Sequence, residues 1–289
     1  MSDDIKDIDE PTGVDTTGHS WDGIKELNNP LPRWWLWCFY LCIIWGIGYT
    51  IAFPAWPMLT GATSGVLGFS TRGEVAQDIA RFETQNAALK TALAEVELAA
   101  LSDNPDLQRF AVAGGGAVFR SHCSQCHGSG AAGAKGYPNL LDDDWLWGGE
   151  IDQIAYTVRH GIRNESDDDA HWSQMPAYGD ILEEEEIIGA VDYVLSLSGA
   201  EHDATSAQIG AVIFEEQCSA CHGEAGMGDP DQGAPNLTDA IWLYGGDRDT
   251  LLETITNARF GVMPAWGSRL SEADVNAVAA YVHGLGGGE

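Results

Sequence analysis

The chain has 289 residues, with 44 acidic residues against 14 basic ones and a formal net charge of −30. This charge excludes a general nucleic-acid binder, because contacts to phosphates need a surplus of Lys and Arg. A hydrophobic fraction of 44% excludes a wholly disordered chain. Six cysteines are too few for a disulfide scaffold of this length, so their positions are more informative than their number.

The first clear element is an apolar segment at 34–53 that contains no charged side chain. As a helix it would span about 30 Å, the thickness of the hydrocarbon core of a bilayer. Tryptophans near both ends suit the membrane interfaces. We therefore predict a transmembrane helix over 34–56. The acidic start of the chain argues against a cleaved signal peptide, and the long uninterrupted apolar run argues against a buried soluble helix.

Residues 1–33 are predicted as an N-terminal tail on the cytoplasmic side of the membrane, and the polar residues 1–29 of this tail are predicted to be mostly flexible. Basic residues near the apolar segment lie mainly before it, which favours a cytoplasmic N-terminus. Those before it are Lys6, Lys25 and Arg33, and the one close behind it is Arg72. Residues 57–108 are predicted as a linker on the opposite side of the membrane, in which apolar residues at helical spacing indicate a helix over 73–101.

From residue 109 onward the chain repeats itself, since six short blocks recur in the same order. The clearest pairs are FRSHCSQCHG at 119–128 with FEEQCSACHG at 214–223, and MPAYG at 175–179 with MPAWG at 263–267. Such ordered recurrence indicates a duplicated domain. We place the two copies at 109–200 and 205–289.

Each copy contains the motif Cys-x-x-Cys-His, the signature of covalent haem c attachment. The motif residues are Cys123, Cys126, His127, Cys218, Cys221 and His222. Two thiols one helical turn apart can form thioethers with the vinyl groups of the macrocycle, and the adjacent histidine then reaches the iron as proximal ligand. A thioredoxin-like pair would need neighbouring strands, a shared zinc site would need closer cysteine pairs, and a disulfide in each motif leaves the histidine unexplained.

Met175 and Met263 are the predicted sixth ligands of the two haem irons. Both begin a Met-Pro-Ala-aromatic-Gly block downstream of a cysteine motif, where a loop can return over the other face of the haem. Thioether ligation suits electron transfer. A core methionine is the alternative, but Met175 is the only methionine of its copy and its counterpart is also methionine. Two covalently bound haem c groups are therefore predicted.

Other recurring residues have two interpretations of similar weight. The loops at Pro138 and Pro235 would offer a carbonyl to the proximal histidine or form ordinary turns. Arg159 and Arg259 would pair with haem propionates or with surface carboxylates. Four aromatic residues would line a haem cleft or belong to the core: Trp145, Trp147, Trp242 and Tyr244.

Duplicated haem c domains behind one membrane helix resemble the dihaem subunit, subunit III, of cbb3-type cytochrome c oxidase. The most specific stretches are HSWDGIKELNNPLPRWWLW at 19–37, GIGY at 46–49 and PAWP at 54–57. The resemblance implies an all-α fold with one N-terminal transmembrane helix, a periplasmic helical linker and two tandem class I cytochrome c-like domains. It also implies that the methionine of one copy can bind the haem iron of the other copy, so the sequence leaves open which methionine serves which haem.

The resemblance implies an electron-transfer subunit without catalytic residues of its own. It would relay electrons from a donor cytochrome c to a monohaem cytochrome c subunit and the haem–copper catalytic subunit, which reduces oxygen and pumps protons. Its haem domains would lie in the periplasm, anchored in the bacterial cytoplasmic membrane. An anchored carrier serving another enzyme and a dihaem peroxidase are the alternatives. The acidic surface would attract a basic partner, or it would serve solubility or reflect adaptation to a salty habitat.

Overall fold

The computed structural model describes residues 7–288 of the chain, so the predicted orientation signal at Lys6 lies outside the described residues. The fold is mostly helical, as predicted, with one apolar helix followed by a helical repeat region. The chain divides into two compact units, Met1–Thr84 and Gln85–Glu289. The boundary falls inside a long helix, and each unit is described separately below.

Part of the N-terminal tail forms a small antiparallel sheet, so the expectation of a flexible tail is wrong for these residues. The strands β1 (Ile8–Asp9), β2 (Val14–Trp21) and β3 (Ile24–Leu27) pair in that order. Asp22 and Gly23 form the turn between β2 and β3 with φ angles of 49° and 83°. This left-handed pair is what a tight two-residue hairpin needs. The Asp-Gly dipeptide is therefore a hairpin signal within a polar sequence.

The helix α1 spans Arg33–Ala52 and is the one helix among the described residues long and apolar enough to cross a membrane. The chain itself buries none of its residues. Its last carbonyls are satisfied by residues that follow it: the amide of Val66 donates to Ile51 at 2.9 Å, and that of Leu67 donates to Ala52 at 3.1 Å. A candidate membrane helix therefore lies where the sequence predicts one, although it ends at Ala52 and not at residue 56.

A short hairpin and a long helix follow α1. The strands β4 (Pro57–Met58) and β5 (Gly61–Ala62) pair with each other. The helix α2 spans Thr71–Glu95, and a 3₁₀ segment follows at Leu98–Asp103. Together they cover the helical stretch predicted over 73–101.

The repeat region contains the same four helices twice. The first copy contributes α3 (Pro105–Val118), α4 (Ser124–His127), α5 (Ile151–His160) and α6 (Glu184–Leu197). The second copy contributes α7 (Ala204–Ile213), α8 (Ser219–His222), α9 (Arg248–Asn257) and α10 (Glu272–His283). The duplication seen in the sequence is therefore also a duplication of helices.

The helices of the two copies pair with each other. The opening helix α3 packs on the closing helix α10, and α6 packs on α7. A first core joins Phe119 and Ile154 of the first copy to Val278 of the second. A second core joins Val191 of the first copy to Phe214 of the second. Each core therefore draws on both copies, whose boundaries at 109–200 and 205–289 remain predictions.

Glycines allow the paired helices to approach closely. A Cβ atom on Gly115 would overlap the carbonyl of Ala277 in α10, and one on Gly210 would overlap the carbonyl of Gly189 in α6. The absence of a side chain is therefore required at both crossings. The neighbouring Gly114 has more room, because its Cβ would lie 4.0 Å from the Cβ of Ala277.

Asp192 is a fully buried carboxylate that ties α6 to its neighbours. It accepts the amide of Asp203 at 2.9 Å, just before α7, and the guanidinium of Arg248 in α9, with Nη2 2.8 Å from Oδ2. The hydrogen bonds from Arg248 hold the pKa of Asp192 below its ordinary value, although burial acts in the opposite direction. The carboxylate therefore stays charged at neutral pH and stabilises the second core.

We expect Gly115→Ala to destabilise the chain by about 1–3 kcal/mol, because α3 must move away from α10. The matched control Gly114→Ala should be neutral or stabilising by up to about 1 kcal/mol, since alanine has the higher helix propensity. Thermal unfolding midpoints of the cofactor-loaded chain in detergent compare the two variants. Equal midpoints would contradict the packing of α3 on α10.

We expect Asp192→Asn to destabilise the chain by about 1.5–3 kcal/mol at neutral pH. The folded pKa is depressed, so the carboxylate contributes its full stability above the unfolded value of 3.8 and loses it as the pH falls further. The difference between the wild-type and variant melting midpoints should therefore narrow below about pH 4.

Asp106→Asn is the control for this experiment, because it breaks an ion pair with Arg109 that is exposed. Such surface pairs contribute little, so its midpoint should stay close to that of the wild type. If the difference between the melting midpoints of the wild type and Asp192→Asn did not change with pH, the charge of Asp192 would not be what stabilises the second core.

Candidate functional site

In both copies the Cys-x-x-Cys-His motif begins in a single π-helical turn. These turns span Phe119–Cys123 and Phe214–Cys218, and each continues into a short α-helix that ends at the motif histidine. Phe119 and Phe214 anchor the turns, with 1% and 2% of their surface exposed. Such π turns occur frequently at functional sites. The sequence repeat therefore includes the local geometry of the motif.

Each motif presents one partly buried thiol and one exposed thiol. Cys123 and Cys218 are half-buried and pack against the first and the second core, whereas Cys126 and Cys221 are exposed. Burial raises the pKa of Cys123 and of Cys218 to about 11. These two thiols are therefore protonated at neutral pH before any covalent attachment. Within a motif, the two sulfurs lie on one short stretch of helix and can reach the same ligand.

The two motif histidines are oriented by loop carbonyls. The Nδ1 atom of His127 lies 3.2 Å from the carbonyl oxygen of Pro138, and that of His222 lies 3.1 Å from Pro235. A carbonyl only accepts, so Nδ1 carries the proton and Nε2 keeps a free lone pair. Burial lowers the pKa of both histidines, which keeps them neutral. Of the two interpretations left open for the proline loops, these contacts favour the one in which a loop carbonyl orients the histidine.

Each methionine packs against the core that also contacts the attachment motif of the other copy. Met175 of the first copy packs against the second core, as Cys218 does, and both line one cavity together with His222. Met263 of the second copy packs against the first core, as Cys123 does. Each methionine therefore lies with the attachment motif of the other copy.

Backbone hydrogen bonds hold the Met263 segment against the first copy. Met263 and Ile162 exchange two hydrogen bonds, each with an N···O distance of 3.0 Å. Three residues further on, the amide of Trp266 donates to the carbonyl of Val158 at 3.1 Å. The segment is thus fixed on both sides of its proline.

A tyrosine holds the Met175 segment against the second copy. The hydroxyl of Tyr178 donates to the carbonyl of Gln217 at 2.7 Å, immediately before Cys218. Burial raises the pKa of Tyr178 to about 12, so the hydroxyl keeps the proton it donates. Tyr178 belongs to the second core. Sequence reasoning missed this role, although the Met-Pro-Ala-aromatic-Gly block contains the residue.

The cavity at the second motif has a volume of about 570 Å³, which is within the range of cofactor pockets. Its lining includes residues of both copies, among them Pro138, whose carbonyl holds the histidine of the other motif. Two thiols, a neutral imidazole and a thioether converge on this space. These are the groups that attach haem c and complete its iron coordination, so the residues present fit this cofactor.

The four recurring aromatic residues divide between the two interpretations. Trp242 and Tyr244 line the cavity, as a cofactor cleft requires. Trp145 packs against the first core instead. Trp147 is buried and stacks on His171 with ring centroids 4.2 Å apart.

The two recurring arginines also differ. Arg159 forms an ion pair with Glu272, which agrees with the interpretation that it pairs with a surface carboxylate. Arg259 lines the cavity and lies 4.7 Å from the ring centroid of Tyr244. Its guanidinium is held by its own helix end, with Nη1 3.2 Å from Glu253 and Nη2 2.9 Å from the carbonyl of Thr250.

Sequence reasoning missed Arg163, a half-buried cation in the cavity lining. Its Nε donates to the carbonyl of Gly261 at 2.7 Å, and its Nη1 donates to that of Ser173 at 2.6 Å. Burial lowers its pKa, but an arginine stays charged at any neutral pH. Its position in the repeat is the one sequence feature that could have indicated this role. Arg163 directly follows the RHGI block at 159–162, and the equivalent residue of the second copy is Met263.

Acidic residues border the cavity as well. Asp142 and Asp144 belong to its lining. The pKa of Asp144 is raised to about 6, mainly by burial and secondly by the nearby carboxylate of Asp239. Part of the acidity of the chain is therefore concentrated beside the candidate site.

Comparisons with known proteins agree with this geometry. Residues 13–60 match the model of the N-terminal domain of cytochrome oxidase-cbb3, FixP. Residues 110–194 and 205–282 match the model described as cytochrome c oxidase, cbb3-type, subunit III.

Known relatives match the chain over nearly its whole length. The cbb3-type cytochrome c oxidase subunit CcoP of Cereibacter sphaeroides is 58% identical over 97% of both chains. Subunit FixP of Azorhizobium caulinodans is 53% identical over 98% of this chain and 96% of its own. Subunit CcoP of Rhodobacter capsulatus is 50% identical over 96% of this chain and 97% of its own. The chain therefore belongs to the CcoP/FixP family, the membrane-anchored cytochrome c subunit III of cbb3-type cytochrome c oxidases.

Proposed function

We propose that this subunit carries two covalently bound haem c groups, one at each motif. Cys123 and Cys126 would attach the first and Cys218 and Cys221 the second. The imidazoles of His127 and His222 would be the proximal ligands. The observation that carries this proposal is the duplicated site: in each copy a histidine Nδ1 is bound to a proline carbonyl, which leaves Nε2 for a metal.

We also propose that Met263 completes the first site and Met175 the second. The packing of Met263 with Cys123 and of Met175 with Cys218 supports this exchanged arrangement. An iron held by both a histidine and a methionine would have no position left for peroxide, so a dihaem peroxidase is not favoured. Bound haem c supplies a reversible one-electron couple, and thioether ligation raises its potential.

On this proposal the chain relays electrons within the oxidase. It would accept them from a donor cytochrome c and pass them to the monohaem cytochrome c subunit and the haem–copper catalytic subunit. The helix α1 would anchor it in the cytoplasmic membrane with the haem domains in the periplasm. Lys25 lies before α1 and Arg33 is its first residue, whereas only Arg72 follows closely behind it, and this distribution supports the orientation.

Haem content tests the attachment sites. In the chain purified with its oxidase, denatured and stripped of loosely bound groups, we expect the mass of two haems above that of the polypeptide. The double variant Cys123→Ala/Cys126→Ala should retain one haem, and Cys218→Ala/Cys221→Ala should also retain one. Cys38→Ala/Cys42→Ala is the control, because these residues lie in α1, and it should retain both. A wild-type chain without added mass would refute the proposal.

Single-haem chains test the methionine exchange. In Cys123→Ala/Cys126→Ala, which keeps the second attachment motif, Met175→Leu should abolish the sulfur–iron charge-transfer band of the ferric protein. Met263→Leu should leave that band unchanged, because it serves the other site. The converse is expected when the second motif is removed. Loss of the band with Met263→Leu alone in the first background would show that each methionine serves its own copy.

A further inference from the structure

Residues 161–163 lie between the two methionine segments. On one side Ile162 exchanges backbone hydrogen bonds with Met263, and on the other it pairs with His171 in a parallel bridge. The amide of Arg163 donates to the carbonyl of His171 at 2.7 Å. His171 begins the stretch that leads to Met175. A single short segment of the first copy is therefore bonded to both methionine-bearing stretches.

The side chain of Arg163 extends this connection towards the methionines. Its two acceptors are the carbonyls of Gly261, at 2.7 Å, and Ser173, at 2.6 Å. Gly261 precedes Met263 by two residues, and Ser173 precedes Met175 by two residues. Hydrogen bonds from a charged donor are stronger than neutral ones. The planar guanidinium also fixes the angle between its acceptors, so it holds one methionine segment relative to the other.

Two further observations separate Arg163 from an ordinary surface arginine. Its φ angle is 49°, a left-handed conformation that residues other than glycine rarely adopt and that surrounding bonds must stabilise. Within residues 7–288 no carboxylate forms an ion pair with it, although it is half-buried. Its charge is directed at the two carbonyls and the cavity instead.

We propose that Arg163 is a positioning residue for both methionine segments and so couples the geometry of the two haem sites. The inference rests on the proposed ligation by Met175 and Met263. A displacement of either segment is transmitted to the other through one guanidinium. The potentials of the two haems are then set jointly rather than copy by copy.

The test uses the dihaem chain in its oxidase complex and compares Arg163→Gln with the wild type. The readouts are the ring-current-shifted methionine methyl signals of the reduced protein, one per haem, and the two reduction potentials. Met175→Leu and Met263→Leu assign the signals. We expect Arg163→Gln to keep both covalent haems by mass while shifting both methyl signals and both potentials. Arg163→Lys keeps the charge without the planar fork and should shift both signals less.

Arg259→Gln is the matched control, because Arg259 lines the same cavity but its donors stay within its own helix end. It should leave the signal of Met263 unchanged. If Arg163→Gln shifts one signal or neither, the coupling is refuted. If Arg163→Gln does not accumulate, Arg163→Lys decides, and unshifted signals there refute the coupling. If the wild type lacks methionine signals, the proposed ligation fails instead.

Discussion

The close crossing of helices from different copies is the constraint on which the candidate sites depend. Gly115 lets α3 lie against α10, and Gly210 lets α7 lie against α6, at separations that a side chain would not allow. Because α6 and α10 follow the two methionine segments, these crossings bring Met175 to the second motif and Met263 to the first. Under the proposed ligation, neither copy alone contains both the attachment motif and the methionine of one site, so each site would form only when both copies fold.

The local features of this arrangement could be predicted from the sequence, but its pairing could not. The attachment motifs, the apolar helix and the helix predicted over 73–101 depend on residues close together in the chain, and all are found where the sequence indicates. The helix α3 opens the first copy and α7 opens the second. Their equivalent positions do not indicate whether each packs on the closing helix of its own copy or on that of the other copy. The short connection at 198–203 is the signal that was available, since short loops make consecutive helices such as α6 and α7 antiparallel neighbours.

Residues that act through backbone carbonyls are the hardest to recognise in a sequence. Arg163 and Tyr178 bind the carbonyls of Ser173, Gly261 and Gln217, and every residue type carries the same carbonyl. Their roles depend on which distant segment the fold places beside them. A motif search finds the ligands of a site, whereas the groups that hold those ligands become visible only with the tertiary structure. For the same reason, the sequence alone does not show that the carbonyls of Pro138 and Pro235 accept hydrogen bonds from the motif histidines.

The two candidate sites share a loop, and this has a consequence for electron transfer. The carbonyl of Pro138 holds His127 of the first site, while Pro138 also lines the cavity of the second. Two residues earlier, the amide of Gly136 donates to the carbonyl of Leu243 in the second copy at 2.8 Å. Hydrogen bonds, rather than a flexible linker, therefore hold the sites together. Under the proposed function, passing an electron between them would need no domain movement, because this loop contacts both sites.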